Sequence, residues 1–228
     1  MNCFITGTDT GIGKTVVTAA LLRGLAARGL RAAGMKPVAA GATREGTALV
    51  NEDAELLRAC ASVEVSRALV CPAIYLAPTA PHIAARAEGR TIELAPIADA
   101  YAEIRRRADV VLVEGIGGWA LPLNPSTMLS DLVARLDLPV LLVVGVRLGA
   151  LNHALLTARA IAADGARLVG WVANIVDPDY AYAEDTVQAL IERLPAPCVG
   201  HLRWQPNATP DTISHSLSQA IDLMAATG

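Results

Sequence analysis

The sequence predicts an α/β fold in one domain spanning residues 1–228, with a mostly parallel sheet and helices on both faces. Three observations lead there. Short β-branched runs alternate with longer Ala/Leu-rich segments from end to end. Apolar residues make up 53% of the chain while aromatics are only 4%, so the core must be built from Ala, Val, Leu and Ile, which suits a sheet buried on both faces. No Ser/Gly-rich linker or repeat divides the 228 residues, and prolines such as Pro122, Pro125, Pro178 and Pro195 fall where loops are expected.

In order along the chain, strands are expected at residues 3–6, 32–38, 110–114, 140–145, 168–175 and 198–202, each a compact apolar run too short for a helix. Helices are expected at 14–28, 52–60, 81–89, 94–107, 128–135, 149–163, 180–193 and 212–225. In such folds ligands bind at the carboxyl ends of the strands, so the loops after Thr6, Val38, Glu114, Gly145 and Ile175 are the places to look.

Charge and cysteine usage narrow the classes. A net charge of -3, with no basic block beyond Arg105-Arg106-Arg107, leaves no broad electrostatic footprint for nucleic acid. Cys3, Cys60, Cys71 and Cys198 have no C-x-x-C spacing, so neither a zinc site nor a disulfide framework is suggested. The longest apolar run, 138–146, is too short to span a bilayer and contains Pro139 and Gly145. Met1-Asn2 leads almost directly into the first strand, without the pattern of a signal peptide. A cytoplasmic protein with neither nucleic-acid nor membrane partners is expected.

The most specific segment is Gly7-Thr8-Asp9-Thr10-Gly11-Ile12-Gly13-Lys14-Thr15, which follows an apolar strand and opens an Ala/Leu helix. That is the context of a P-loop, so the fold is expected to be P-loop NTPase-like. Glycines let backbone N–H groups turn onto phosphates, the helix N-terminus adds its positive dipole end, Lys14 meets phosphate charge, and Thr15 offers a hydroxyl to Mg²⁺. The loop is a variant of G-x-x-x-x-G-K-S/T, because Thr8 stands where the first Gly is expected and Gly7 lies one position early.

Mg²⁺ needs carboxylate oxygens. Glu114 ends the apolar strand Val110-Val111-Leu112-Val113 and precedes Gly115-Ile116-Gly117-Gly118; it is preferred over Asp53, which also reads as an ordinary acid at a helix start. Lys36 lies in an apolar stretch beside Pro37, where a lysine needs negative charge nearby, and bound phosphate is a natural partner. His82, His153, His201 and His215 lack metal-ligand spacing. Among Trp119, Trp171 and Trp204, the last is the best placed to stack on a base.

Taken together, these segments resemble the dethiobiotin synthetase family over nearly the whole chain. The residues carrying the resemblance are 6–10 with Gly13-Lys14-Thr15, Gly34-Met35-Lys36-Pro37-Val38-Ala39, Pro78-Thr79-Ala80-Pro81-His82, residues 113–119, 143–153 and Gly170-Trp171-Val172-Ala173-Asn174. The resemblance implies an ATP-dependent cyclo-ligase joining 7,8-diaminononanoate and CO₂ into a cyclic urea, with release of ADP and phosphate. Lys14 and Lys36 would neutralise charge on the phosphoryl group. Thr15, Asp53 and Glu114 would address Mg²⁺. Nucleotide contacts would come from Gly11, Ile12, Gly13, Lys14, Thr15 and Val16, from Asp53 and Glu114, from Gly115, Ile116 and Gly117, and from Asn174, Ile175, Arg203, Trp204 and Gln205. A homodimer is also implied: Thr10, Lys36 and Ala40 would face the diamine, and Leu148, Gly149, Ala150, Leu151 and Asn152 of a second copy would cap its carboxylate. Gly11 stands where the family commonly has Glu, and Ala40 where it has Ser.

The principal alternative is a partitioning-type switch ATPase with the same phosphate loop. Against it, residues 8–12 contain no lysine, and neither a basic face nor a terminal amphipathic membrane helix is evident. A third reading, a ligase domain detached from an amidase or transacetylase partner, rests on fold analogy alone.

Overall fold

The computed structural model describes residues 1–226. Its strands are β1 (Cys3–Gly7), β2 (Ala32–Met35), β3 (Val38–Ala39), β4 (Thr43–Glu45), β5 (Ala48–Val50), β6 (Ala73–Ile74), β7 (Val110–Glu114), β8 (Pro122–Asn124), β9 (Thr127–Met128), β10 (Val140–Val146), β11 (Leu168–Ile175) and β12 (Cys198–Leu202). The helices are α1 (Lys14–Ala27), α2 (Glu52–Cys60), α3 (Arg67–Val70), α4 (Pro81–Ala87), α5 (Leu94–Arg105), α6 (Leu129–Leu136), α7 (Ala150–Ala163), α8 (Ala183–Ile191), α9 (Pro210–Ser214) and α10 (Ser218–Ala225).

Six strands form one sheet in the order β12-β11-β10-β1-β7-β2, and every pairing is parallel. Parallel strands covered on both faces have no solvent side. Accordingly β1, β7 and β10 are buried at every residue and read in the sequence as unbroken apolar runs. One face packs on α1, α2, α9 and α10 through residues such as Leu21, Leu57 and Met224. The other packs on α5 and α6 through Ile97, Ile104 and Leu132, and on α7 and α8 through Ala154 and Leu190.

β1 lies between β10 and β7, so the chain leaves it towards β2 on one side and returns to β10, β11 and β12 on the other. This is the topological switch point, where a crevice opens beyond the strand ends. The loop after β1 projects into it.

Several features differ from the sequence expectation. The run 32–38 is not one strand: after Met35 the chain leaves the large sheet, Lys36 N donates to Val70 O at 2.8 Å, and β3 pairs instead with β6. Pro37 lacks an N–H to continue a ladder, so the break falls at Lys36-Pro37. The helix expected at 212–225 is interrupted by a 3₁₀ turn, His215–Leu217, which drives Leu217 against Gly200 of β12; a Cβ on that glycine would lie 2.5 Å from Leu217 Cδ2. The helix expected at 180–193 shortens to Ala183–Ile191. Two hairpins, β4–β5 and β8–β9, are additions too short and too polar to show periodicity.

Candidate nucleotide and phosphoryl-transfer site

The loop between β1 and α1 is seated by its neighbours. Thr8 N donates to Val143 O at 3.1 Å, and the Gly145 N–H donates to Thr8 Oγ1 at 3.3 Å. Asn174 at the end of β11 donates from Nδ2 to Ile12 O at 2.8 Å. Gly13 has φ +82°, and a Cβ there would lie 2.3 Å from Asn174 Nδ2, so both backbone conformation and close approach require glycine. Ile12 fills the space left by Gly145, whose Cβ would stand 2.4 Å from Ile12 Cγ2. Gly13 occupies the N-cap of α1 and has no side chain to cap it, so the first N–H groups of α1 are left for an anion.

Beside this loop lies a buried ionic cluster drawn from three elements. Lys36 Nζ donates to Glu114 Oε1 at 2.6 Å, to Asp53 Oδ2 at 2.9 Å and to Gly115 O at 3.3 Å. Thr15 Oγ1 donates to the same Glu114 oxygen at 2.8 Å. Lys36 is 3% exposed and Glu114 0%, so neither charge is solvated and each needs the other. Burial opposes the charge on Lys36, but Glu114 and Asp53 outweigh it and hold the ammonium above its usual pKa. Burial likewise acts against charge on Asp53, and Lys36 overrides it, leaving the carboxyl below its usual value. Asp53 owes its position to α2, whose N-cap Asn51 accepts from Ala54 N at 3.2 Å.

Lys14 is placed differently. Its ammonium donates to Asp9 O at 2.8 Å and, among the described residues, carries no carboxylate ion pair. Burial, and then repulsion from Lys36, push its pKa down to about 8. Thus one lysine is fully counter-charged while the other is held only by a carbonyl of the loop.

The cleft over these groups has a volume of about 820 Å³ and is lined by Thr10, Gly11, Gly13, Lys14, Thr15, Val16, Lys36, Ala40, Asp53, Ile116 and Gly117 from among the residues expected. Ala39, Asn51, residues 78–81 and Leu121 complete the wall and carried no assigned role in the sequence reading. Ile12 is buried beneath the loop, and Glu114 is reached through Lys36 and Thr15. Gly115 offers its carbonyl to Lys36, and Ile175 is buried at the end of β11. The remaining expected residues stand apart from this cleft. Trp204 is 52% exposed, Arg203 pairs with Glu184 at 3.0 Å, and Gln205 is exposed. Leu148, Gly149, Leu151 and Asn152 are exposed around the start of α7, where only Ala150 is buried.

The donor set suits a hard cation. Among the described residues Glu114 Oε2 is buried without a hydrogen-bond partner, the Thr15 hydroxyl bonds to the other oxygen of that carboxylate, and Asp53 is joined to it through Lys36. Among the described residues no group of three or more His, Cys, Asp or Glu side chains could hold a metal on its own, so phosphate oxygens or water would have to complete the shell.

A strand–loop–helix phosphate cradle at the switch point of a parallel sheet defines a P-loop nucleotide-binding protein. A family model described as an AAA domain matches residues 1–212. Among solved structures, the MinC:MinD cell division protein complex from Aquifex aeolicus aligns with TM-score 0.60 at 15% identity, covering 99% of this chain and 96% of that one. A ParA family ATPase from Chlorobium tepidum aligns with TM-score 0.53 at 12% identity, covering 100% and 94%. These likenesses show the fold alone. In sequence, the chain is 51% identical over 205 residues to ATP-dependent dethiobiotin synthetase BioD of Xanthomonas oryzae pv. oryzae (strain PXO99A), covering 90% of this chain and 92% of that protein. It is 52% identical over 205 residues to the protein of the same name in Ralstonia nicotianae, covering 90% of each. The chain belongs to the ATP-dependent dethiobiotin synthetase family.

Proposed function

We propose that this chain is a dethiobiotin synthetase, an ATP-dependent cyclo-ligase of biotin biosynthesis that joins 7,8-diaminononanoate and CO₂ into a cyclic urea. The observation that carries the reading is the near-full-length identity to proteins of that name. The kinship with partitioning and cell-division ATPases is a relationship of fold and is not favoured as a function.

One amine of the diamine adds to CO₂ and loses a proton, giving a carbamate. A carbamate oxygen attacks the γ-phosphorus of ATP, the bond to ADP breaks, and a carbamic–phosphoric anhydride results. The second amine attacks the anhydride carbonyl, inorganic phosphate departs with the C–O bond electrons, and the ring closes. Such transfers depend on positioning and charge neutralisation more than on covalent participation of the protein.

The chain's own groups fit those needs. The N-terminus of α1 and Lys14 receive the phosphates, and Lys14 exchanges its bond to Asp9 O for one to phosphate. Lys36, now held between Glu114 and Asp53, reaches the junction of carbamate and γ-phosphate from the floor of the cleft. Thr15, Asp53 and Glu114 would hold Mg²⁺, which when bound supplies countercharge to the phosphates. Ala39, Ala40, Ile116 and Leu121 give an apolar wall for the substrate's carbon chain, with Thr10 at the diamine end. Leu148 is 83% exposed at the head of α7, and residues 148–152 of a second copy would cap the carboxylate in a homodimer. Asn174 and residues 203–205 would take the adenine end. No helix among the described residues is long and apolar enough to cross a membrane, and we place the enzyme in the cytoplasm.

Phosphate release from ATP tests the reading. It is expected to require diamine, bicarbonate and Mg²⁺ together; release at the same rate without the diamine would contradict it.

A further inference from the structure

Asp9 was not assigned a role, yet it is the most heavily used acceptor in the phosphate loop. Its carbonyl accepts from Lys14 Nζ at 2.8 Å, Oδ1 accepts from Thr10 N at 2.7 Å, and Oδ2 accepts from Arg147 Nη2 at 2.7 Å. One residue therefore restrains the phosphate lysine, the following peptide and a side chain 138 positions away.

Arg147 is fixed from its own side. It follows β10, and its carbonyl accepts from Ala150 N at 3.0 Å, closing the turn into α7 through Gly149 at φ +94°. The same end of β10 holds Thr8 through Val143 O and Gly145 N. Main-chain groups of β10 thus seat Thr8, while the Arg147 guanidinium seats the residue after it. Gly11 follows at φ +72° with open space around its Cβ position, and the loop is next held at Ile12, whose carbonyl accepts from Asn174 Nδ2 at 2.8 Å.

We propose that Arg147 is a positioning residue for ATP, acting through Asp9 to hold the phosphate loop and Lys14 in a receptive shape and tying that loop to the first turn of α7. This rests on the proposed function for the identity of the nucleotide. Both side chains are partly exposed, 43% for Arg147 and 45% for Asp9, so the effect is modest. Exposed pairs of this kind correspond to an affinity change of about three- to fivefold.

The test is direct equilibrium titration of ATP against the full chain and its variants. Arg147→Gln and Asp9→Asn are each expected to weaken ATP about three- to fivefold, the double substitution is expected to weaken it no further, and Arg147→Lys is expected to recover most of the loss. Melting temperatures should stay within about 2 °C of the parent, since an exposed pair contributes little to stability. Unchanged ATP affinity in the single variants, losses that multiply in the double, or a fall in melting temperature without a change in affinity would overturn the proposal. The readout is binding, so a parent chain that binds ATP but forms no product would contradict the proposed function and leave this test standing.

Discussion

The floor of the cleft and the exposed segments proposed to bind the base and the substrate carboxylate are built differently. At the floor, Lys36 from the break after β2, Glu114 from β7 and Thr15 from α1 converge, are largely out of water, and bond to one another at 2.6 and 2.8 Å. In those segments Trp204 is 52% and Leu148 83% exposed, and neither lines the cleft. The charged groups proposed to serve phosphoryl transfer are therefore already paired within a single chain. Under the proposed function, recognition of base and substrate carboxylate would fall to exposed surfaces that a ligand or a second copy completes. Substitutions at the floor should disturb fold and chemistry together, whereas those in the exposed segments should disturb binding alone.

The largest effect is expected at Lys36. Lys36→Met should lower turnover by about 10²- to 10³-fold, the scale of losing one charge-stabilising donor. It should also lower stability by about 3–5 kcal/mol, because Glu114 is left buried without its partner. Adding Glu114→Gln should restore most of the melting temperature and none of the turnover. A Lys36→Met chain that melts with the parent would break the comparison at its strong end.

A smaller effect follows from Lys14, whose free ammonium has a pKa pushed down to about 8. ATP phosphates favour its charged form, so the pKa rises on binding and nucleotide uptake captures a proton above pH 8. Affinity should be nearly flat below pH 7 and should fall by up to about tenfold per unit as pH rises beyond 8, until the pKa of the bound state is reached. Titration calorimetry in buffers of different ionisation enthalpy at pH 8.5 would show the proton uptake; its absence would place Lys14 outside the phosphate site.

The smallest effect is expected at the base end. Trp204→Ala should weaken ATP by about five- to tenfold, the scale of losing one stacking platform, with an unchanged melting temperature. Loss of stability without loss of affinity would make Trp204 a packing residue and sharpen where the base end lies.

How much of this was legible in the sequence follows the same division. The buried strands announce themselves because parallel strands need apolar residues at every position, and the phosphate loop because glycine spacing, strand and helix agree. Lys36, Glu114 and Asp53 were identifiable as charges in apolar or glycine-rich settings. Their mutual pairing was not: Lys36 and Glu114 are 78 positions apart, and nothing local to the lysine points to a carboxylate rather than a phosphate as its partner. The break at Lys36-Pro37 was hidden because apolar residues continue through Val38 on both sides of it. The 3₁₀ turn at His215–Leu217 arises from tertiary packing of Leu217 on Gly200, which local periodicity does not carry. The bond from Arg147 to Asp9 depends on how the end of β10 meets the loop after β1, a matter of sheet order rather than local sequence.

The most direct test of the central claim is product analysis after incubation with ATP, Mg²⁺, 7,8-diaminononanoate and ¹³C-bicarbonate. The account predicts dethiobiotin one mass unit heavier than the unlabelled compound, with the label in the urea carbonyl and one phosphate released per molecule formed. Phosphate released without a labelled cyclic urea would contradict it.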